Sequence, residues 1–125
     1  APAIAEAASA CALPDVEKYF SKDAIAEAEV SLALGARRIA GRIDRLCVTH
    51  DGVYFVDFKT DATPPPPDTP PPAYVAQLAA YRAALQRIYP GKTIVAEILW
   101  TAAPRLDRIE SSLMDKTLAA LPHMV

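Results

Sequence analysis

The sequence predicts an α/β domain built on a mixed β-sheet. Three stretches with strand patterns come first, a long amphipathic helix follows them, and another β-rich stretch comes after the helix. Strands joined by short turns pair antiparallel, whereas a strand that follows a helical crossover favours parallel pairing. We therefore expect a three-strand antiparallel meander, a crossover helix and a further strand, flanked by helices, in one domain spanning residues 1–125.

The composition suits a globular domain and excludes several other classes. Hydrophobic residues make up 52% of the chain, which favours a packed core over disorder. The net charge of -2 argues against a protein that coats DNA through its own charge, but not against a site whose acidic residues hold cations. No apolar run approaches the ~20 residues of a membrane span, and the Ala-rich start lacks a basic signal region. We expect a cytoplasmic protein with no membrane partner.

Short helical elements are predicted ahead of the first strand. Residues 1–13 are Ala-rich with apolar residues at helical spacing, and Pro14 ends that segment. Asp15 is a candidate cap for a short helical turn that runs through Phe20.

Three strands are predicted next. Residues 25–34 alternate polar and apolar side chains, as expected of a strand with one buried face. Residues 37–49 follow a turn at Gly35-Ala36 and form a second strand. Residues 53–60 are apolar on both faces, which indicates an interior strand. Asp51-Gly52, between the second and third strands, is typical of a two-residue hairpin turn.

The second half of the chain begins with a proline-rich loop. Residues 61–72 contain seven prolines and predict a stiff surface loop without regular structure. Residues 73–88 predict a helix, whose core-facing stripe comprises Tyr74, Leu78, Tyr81, Leu85 and Ile88. The remaining predicted elements are a strand at 93–101, a short strand at 107–110 and a helix at 111–121 that ends at Pro122.

The register of the second hairpin gathers charged residues on one face of the sheet. With a two-residue turn at Asp51-Gly52, Asp44 lies opposite Lys59. Asp57 lies two residues before Lys59 and so points to the same side. A turn longer or shorter by one residue would send one strand's side chains to the other face.

The register of the first hairpin adds two more residues to this face. With a two-residue turn at Gly35-Ala36, Glu29 opposes Arg42, diagonal to Asp44, and Arg42 becomes the best-placed arginine for a phosphate contact. Burying unpaired carboxylates is costly, and a divalent cation such as Mg²⁺ would stabilise them. The spacing alone leaves a second interpretation open, a structural patch in which the acids are neutralised by Lys59 and arginines.

Three motifs occur in order along the chain: GRIDRL at residues 41–46, VDFKT at 56–60 and QLAAYR at 77–82. Together they resemble the RecB-like branch of the PD-(D/E)XK nucleases. The sequence is most similar, over roughly residues 20–101, to the C-terminal nuclease domains of AddA-type helicase-nucleases of bacterial AddAB double-strand-break repair complexes. The resemblance implies a restriction-endonuclease-like fold and a DNA exonuclease that uses Mg²⁺, with Mn²⁺ as an alternative metal.

The resemblance also implies a role for each matching position. Asp44 and Asp57 match metal-binding acids, the main-chain carbonyl of Phe58 matches a further ligand, and Lys59 matches the catalytic lysine. Glu29 matches an acid of the preceding strand and is a further candidate for the metal site.

The helical motif implies support for the site and contacts with DNA. Gln77 and Tyr81 match the QxxxY motif, and their spacing places both on one helix face. Periodicity alone equally favours core packing for Tyr81.

The sequence departs from the family pattern in its upstream part. The family usually has a metal-site His on an upstream helix, whereas His50 and His123 lie elsewhere. We expect that His, together with an ATP-driven helicase part, to lie in sequence before this segment, because no GxxxxGK[ST] loop occurs. We interpret Cys11 and Cys47 as reduced thiols. Two cysteines cannot hold an iron–sulfur cluster that needs four, and this favours the AddA type over the relatives that carry such a cluster.

The expected partners are therefore DNA, the helicase part of the same chain and an AddB-like subunit. Two alternatives stay open: a non-catalytic nuclease-like module that docks or guides DNA, and a free-standing RecB-like exonuclease. The intact set of Asp44, Asp57 and Lys59 argues against the non-catalytic module, and the missing His argues for it.

Overall fold

The computed structural model describes residue 13 and residues 15–120, and it has the predicted α/β architecture. The elements, in chain order, are a 3-10 helix (Glu17–Phe20), β1 (Ile25–Leu34), β2 (Arg37–Val48), β3 (Val53–Lys59), α1 (Pro72–Ile88), β4 (Ile94–Trp100), β5 (Arg105–Ile109) and α2 (Ser111–Ala120). The helix predicted at residues 1–13 and the end of the last helix at Pro122 lie outside the described residues.

The strands form one five-stranded sheet in sequential order. The first three pair as an antiparallel meander, β4 pairs parallel to β3, and β5 returns antiparallel to β4. The parallel pair follows from the α1 crossover, which returns the chain to the same end of the sheet. The predicted mixed sheet is confirmed, with the interior position of β3.

The two helices pack on one face of the sheet and form the main core. Phe55, Leu78, Leu85 and Trp100 are among its most deeply buried side chains. The centre of the predicted core-facing stripe on α1 is confirmed as buried, but its last residue, Ile88, is 55% exposed. The buried face of α1 is broader than that stripe because small alanines let the helix lie close to the sheet and to α2.

The opposite face of the sheet is covered by the 3-10 helix. Val16 and Tyr19 pack there against Val56 and Leu99, with Cys47 as a buried free thiol. Asp15 does not cap this helix, because no side-chain cap hydrogen bond forms. Its carbonyl oxygen instead accepts a hydrogen bond from Lys18 Nζ at 2.7 Å.

The turn between β2 and β3 is longer than predicted. Val48 pairs with Val53, so residues 49–52 form the loop and the two-residue turn at Asp51-Gly52 is wrong. Thr49 closes the loop: its Oγ1 accepts hydrogen bonds from the N–H groups of Asp51 (3.2 Å) and Gly52 (3.1 Å). The register shifts by two residues, which preserves the faces because side chains alternate with a period of two.

The turn between β1 and β2 is as predicted, with Leu34 paired to Arg37 and Gly35 at φ +60°. The alternation of faces nevertheless breaks farther along this hairpin. Ile43 and Leu46 both belong to the core beneath α1, although they are three residues apart. An odd spacing between two inward residues requires a local break in alternation, and Glu27, a non-glycine residue at φ +53°, lies there on β1.

This break changes the side of the sheet to which Glu29 and Arg42 point. The two residues are paired as predicted. Gly41, next to Arg42, faces the Tyr81 side chain on α1, so Arg42 and its partner Glu29 point away from α1. The prediction that they share a face with Asp57 is therefore wrong.

Neither helix in the described part of the chain has the combination of length and hydrophobicity that a membrane span needs.

Candidate active site

The candidate site lies where β2 and β3 separate. Their last bonded pair joins Arg45 to Val56. Asp44 immediately precedes Arg45 on β2, and its Oδ2 accepts a hydrogen bond from the backbone N–H of Phe58 at 2.7 Å. The Asp44 side chain thus bridges the diverging strands and lies close enough to Asp57 to affect its ionisation.

Asp57 is a buried carboxylate, only 6% exposed. Lys59 Nζ lies 2.7 Å from its Oδ2. The ammonium group pairs with Oδ2, and no other described group donates a hydrogen bond to this oxygen. Burial raises the pKa of Asp57, the Asp44 charge raises it further, and Lys59 opposes both effects. Two carboxylates that share a buried position with a single ammonium group favour a bound cation.

Helix α1 holds Lys59 in position. Lys59 Nζ donates to Gln77 Oε1 at 3.1 Å and lies 4.2 Å from the centroid of the Tyr74 ring. Gln77 Nε2 in turn donates to Tyr81 Oη at 3.2 Å. Tyr81 is buried in the core and is also bonded to a residue that contacts Lys59, so its core packing is confirmed, while its contact with DNA stays a prediction.

Gly41 allows α1 to approach β2 at this point. A Cβ atom at Gly41 would overlap the ring and hydroxyl of Tyr81. The absence of a side chain at Gly41 therefore lets Tyr81 occupy its position, and through Tyr81 it affects Gln77. Gly41 begins the GRIDRL motif, but strand periodicity gives no indication of its close contact with α1.

Tyr74 and Asp61 are site residues that the sequence analysis missed. Tyr74 Oη donates to the Asp61 carboxylate, with oxygen distances of 3.0 and 3.1 Å. This hydrogen bond is the main cause of the raised pKa of Tyr74. The spacing of Tyr74 and Gln77, three residues apart on a helix, could have indicated that both reach the same strand.

The proline-rich loop is anchored next to the site. Arg105 Nη2 donates to the carbonyl oxygen of Pro65 at 2.5 Å and also contacts Asp107 at 2.8 Å. Asp107 accepts a further hydrogen bond from Trp100 Nε1 at 2.8 Å. The loop, which has no helix or strand before α1, is thereby fixed to β5.

Glu29 and Arg42 lie apart from the two aspartates. The Glu29 side chain is 82% exposed, and its Oε1 lies 3.7 Å from Arg42 Nη2. Arg42 Nη1 lies at the same distance from Glu27. Within the described residues no group of three or more His, Cys, Asp or Glu side chains could hold a metal ion. The carboxylates that meet at the site are those of Asp44 and Asp57.

Comparisons with known proteins identify the family and the fold. The chain matches the sequence model of the PD-(D/E)XK nuclease superfamily over residues 4–117. Its fold is similar to that of a "putative exonuclease" from Eubacterium rectale, with a TM-score of 0.74 and 14% identity over 98% of this chain and 50% of that one. It is also similar to the protein SSO0001, with a TM-score of 0.50 and 14% identity over 97% and 57% of the two chains. No curated protein matches the sequence.

These two solved structures are evidence for the fold alone, because each shares only 14% sequence identity with this chain. The chain spans about half the length of these relatives, at 50% and 57%. The mixed five-stranded sheet with its helices is a restriction-endonuclease-like fold. Because the family match extends over residues 4–117, the chain belongs to the PD-(D/E)XK nuclease superfamily.

Proposed function

We propose that this chain carries the catalytic core of a divalent-metal-dependent DNA nuclease that hydrolyses phosphodiester bonds. The main support is the buried carboxylate of Asp57, which lies beside the carboxylate of Asp44 with the single ammonium group of Lys59 to offset the two charges. Two carboxylates that disfavour each other's ionisation in a buried position fit a hard cation. Mg²⁺ suits this donor set because it prefers oxygen and keeps several waters as ligands, and Mn²⁺ takes similar ligands.

The ligands of this cation would be the carboxylates of Asp44 and Asp57 and the main-chain carbonyl of Phe58. When bound, the cation would polarise the scissile phosphate and lower the pKa of a coordinated water. Lys59 places its ammonium group next to Asp57, where it offsets the negative charge that develops on phosphoryl oxygens or orients the attacking water. Gln77 and Tyr74 restrict the position of this ammonium group.

We further propose that the domain acts as an exonuclease within an AddA-type helicase-nuclease during double-strand-break repair. The order and spacing of the three motifs support this context. An ATP-driven helicase part of the same protein and an AddB-like subunit would then supply unwound DNA.

Cleavage of linear DNA by the full-length protein tests this function. We expect Mg²⁺ or Mn²⁺ to support cleavage, chelation to stop it, and Asp57→Ala to reduce it to background without unfolding the domain. Asp115→Ala is the matched control, because the Asp115 side chain is 65% exposed and pairs with Arg82 away from the site. Retained cleavage by a folded Asp57→Ala protein would remove the proposed site.

A further inference from the structure

A groove separates the β1–β2 hairpin from helix α1 and begins beside the acid site. Its volume is about 310 Å³, and it is lined mostly by small or apolar residues: Ile39, Ala40, Ala76, Gln77, Ala80 and Tyr81. Gln77 also accepts the hydrogen bond from Lys59 Nζ at 3.1 Å, and Lys59 lies 2.7 Å from Asp57. The Gln77 side chain therefore belongs both to the acid site and to the wall of this groove, which we name the hairpin groove.

The strand register places Arg37 on the same side of the sheet as the hairpin groove. β1 and β2 pair without interruption from the turn to Gly41. Side chains two residues apart on a strand share a face. Gly41 faces α1 and Ile39 lines the groove, so Arg37 follows them on the α1 side. Arg38, the next residue, points to the opposite side.

The end of the hairpin is positively charged, in contrast to the chain as a whole. Residues 30–42 contain three arginines and no acidic residue, whereas the whole chain has a net charge of -2. Arg42 is shared by Glu27 and Glu29, each 3.7 Å away. Within the described part of the chain, no carboxylate lies within ion-pair distance of Arg37, which is exposed. Arg37 therefore presents a positive charge to solvent just beyond the groove.

We propose that the hairpin groove is the path of one DNA strand between the acid site and Arg37, and that Arg37 binds a phosphate of this strand. This inference rests on the proposed function and deepens it. A nucleotide whose phosphate lies at the acids must place its sugar and base beside them, and the neutral groove next to Lys59 fits these uncharged parts.

The distance along β2 suits this path. A strand rises ~3.3 Å per residue, so the stretch from Arg37 to Asp44 spans roughly 23 Å, which several nucleotides can cover. An arginine suits the distant phosphate because its planar guanidinium can donate two parallel hydrogen bonds to phosphate oxygens.

The salt dependence of DNA binding tests the contact with Arg37. Binding of single-stranded oligodeoxynucleotides to the full-length protein would be measured in EDTA, so that no cleavage occurs, at several salt concentrations. Loss of one phosphate contact flattens the slope of log K against log salt by about 0.7 for a single strand. We expect this change in Arg37→Gln and the wild-type slope in Arg37→Lys. Arg38→Gln is the matched control, because it removes the same charge from the opposite face, where Arg38 donates to Ser31, and it should keep the wild-type slope.

A phosphate scan locates the same contact. One phosphate at a time in the oligonucleotide would be replaced by a neutral methylphosphonate. In the wild type, one position should weaken binding through the lost contact with Arg37, and Arg37→Gln should remove the penalty at that position alone. Equal slopes in Arg37→Gln and Arg38→Gln, or a scan that Arg37→Gln leaves unchanged, would overturn the proposal.

A variant that narrows the groove tests the path itself. Ala76→Leu keeps a good helix former on α1, adds a side chain to the groove wall and should weaken binding about tenfold. Ala119→Leu makes the same change at an exposed position of α2 outside the groove lining and should bind as the wild type does. Undiminished binding by Ala76→Leu would overturn the path. Should thermal unfolding show that Ala76→Leu is destabilised, the Arg37 variants at the exposed end of the hairpin still decide.

The same protein samples separate this inference from the proposed function. Cleavage with Mg²⁺ that depends on Asp57, with no specific effect of Arg37 on binding, would refute the path and leave the nuclease intact. A specific effect of Arg37 without Asp57-dependent cleavage would refute the nuclease and retain the strand-binding groove.

Discussion

Asp57 combines deep burial with a second carboxylate beside it, and most of the site's chemistry follows from that combination. Its neighbour Asp44 makes ionisation harder, and Lys59 compensates only in part, since the pKa of Asp57 is raised overall. The arrangement is therefore unfavourable in the metal-free protein and would become favourable with a cation between the two carboxylates.

Asp57→Asn should change how the stability of the metal-free protein depends on pH. Because the folded-state pKa of Asp57 lies above its unfolded value, its stabilising contribution is present below the unfolded pKa and is lost as pH rises through the folded pKa. Relative to Asp57→Asn, the wild type should lose on the order of 1–3 kcal/mol between about pH 4 and neutral pH. Urea denaturation in EDTA measures this difference, with Asp115→Asn as the exposed control. Parallel stability curves would show that the charge of Asp57 is not disfavoured in the fold.

Tyr74 should matter through its ring more than through its hydroxyl. The ring lies beside Lys59, whereas the hydroxyl bonds Asp61. We expect Tyr74→Leu to lower kcat for DNA cleavage roughly 3- to 30-fold with little change in KM, because a cation–π contact is lost. Tyr74→Phe should retain most of the activity. Equal losses in the two variants would assign the effect to the Asp61 hydrogen bond instead.

At the scale of the elements, hydrophobic periodicity located every strand and helix in the described part of the chain within one or two residues. Its errors have local causes. The Thr49 hydroxyl closes a longer turn than Asp51-Gly52 suggested, and the face assignment survived only because the shift was even. Glu27 adopts a left-handed conformation that its residue type does not favour, so the change of face on β1 could not be predicted. Glu29 and Arg42 were misplaced for that reason.

The contact of β2 with α1 depends on Gly41. Gly41→Ala should destabilise the fold by about 1–3 kcal/mol, because the new methyl group would displace Tyr81. It should also lower cleavage, since Tyr81 bonds Gln77, which contacts Lys59. Gly35→Ala is the matched control: nothing lies within 4 Å of its added Cβ, and its φ of +60° alone should cost about 1 kcal/mol without changing activity. Thermal unfolding and cleavage rates measure both effects, and full activity in Gly41→Ala would contradict the coupling.

At the scale of the whole molecule, the sheet brings distant segments of the sequence together. The meander supplies Asp44 and Asp57, the crossover helix supplies Gln77 and Tyr81, and the loop after β3 supplies Asp61. The sequence could predict the first two groups because strand and helix periods fix which side chains share a face. It could not predict the contribution of Asp61, because a loop has no such period.

Titration of the purified protein with Mn²⁺ and Mg²⁺ by isothermal calorimetry tests the central claim most directly. If Asp44 and Asp57 together hold the cation, the wild type should bind it, Asp44→Ala and Asp57→Ala should each lose that binding while remaining folded, and Asp115→Ala should bind as the wild type does. Unchanged metal binding in both site variants would contradict the claim.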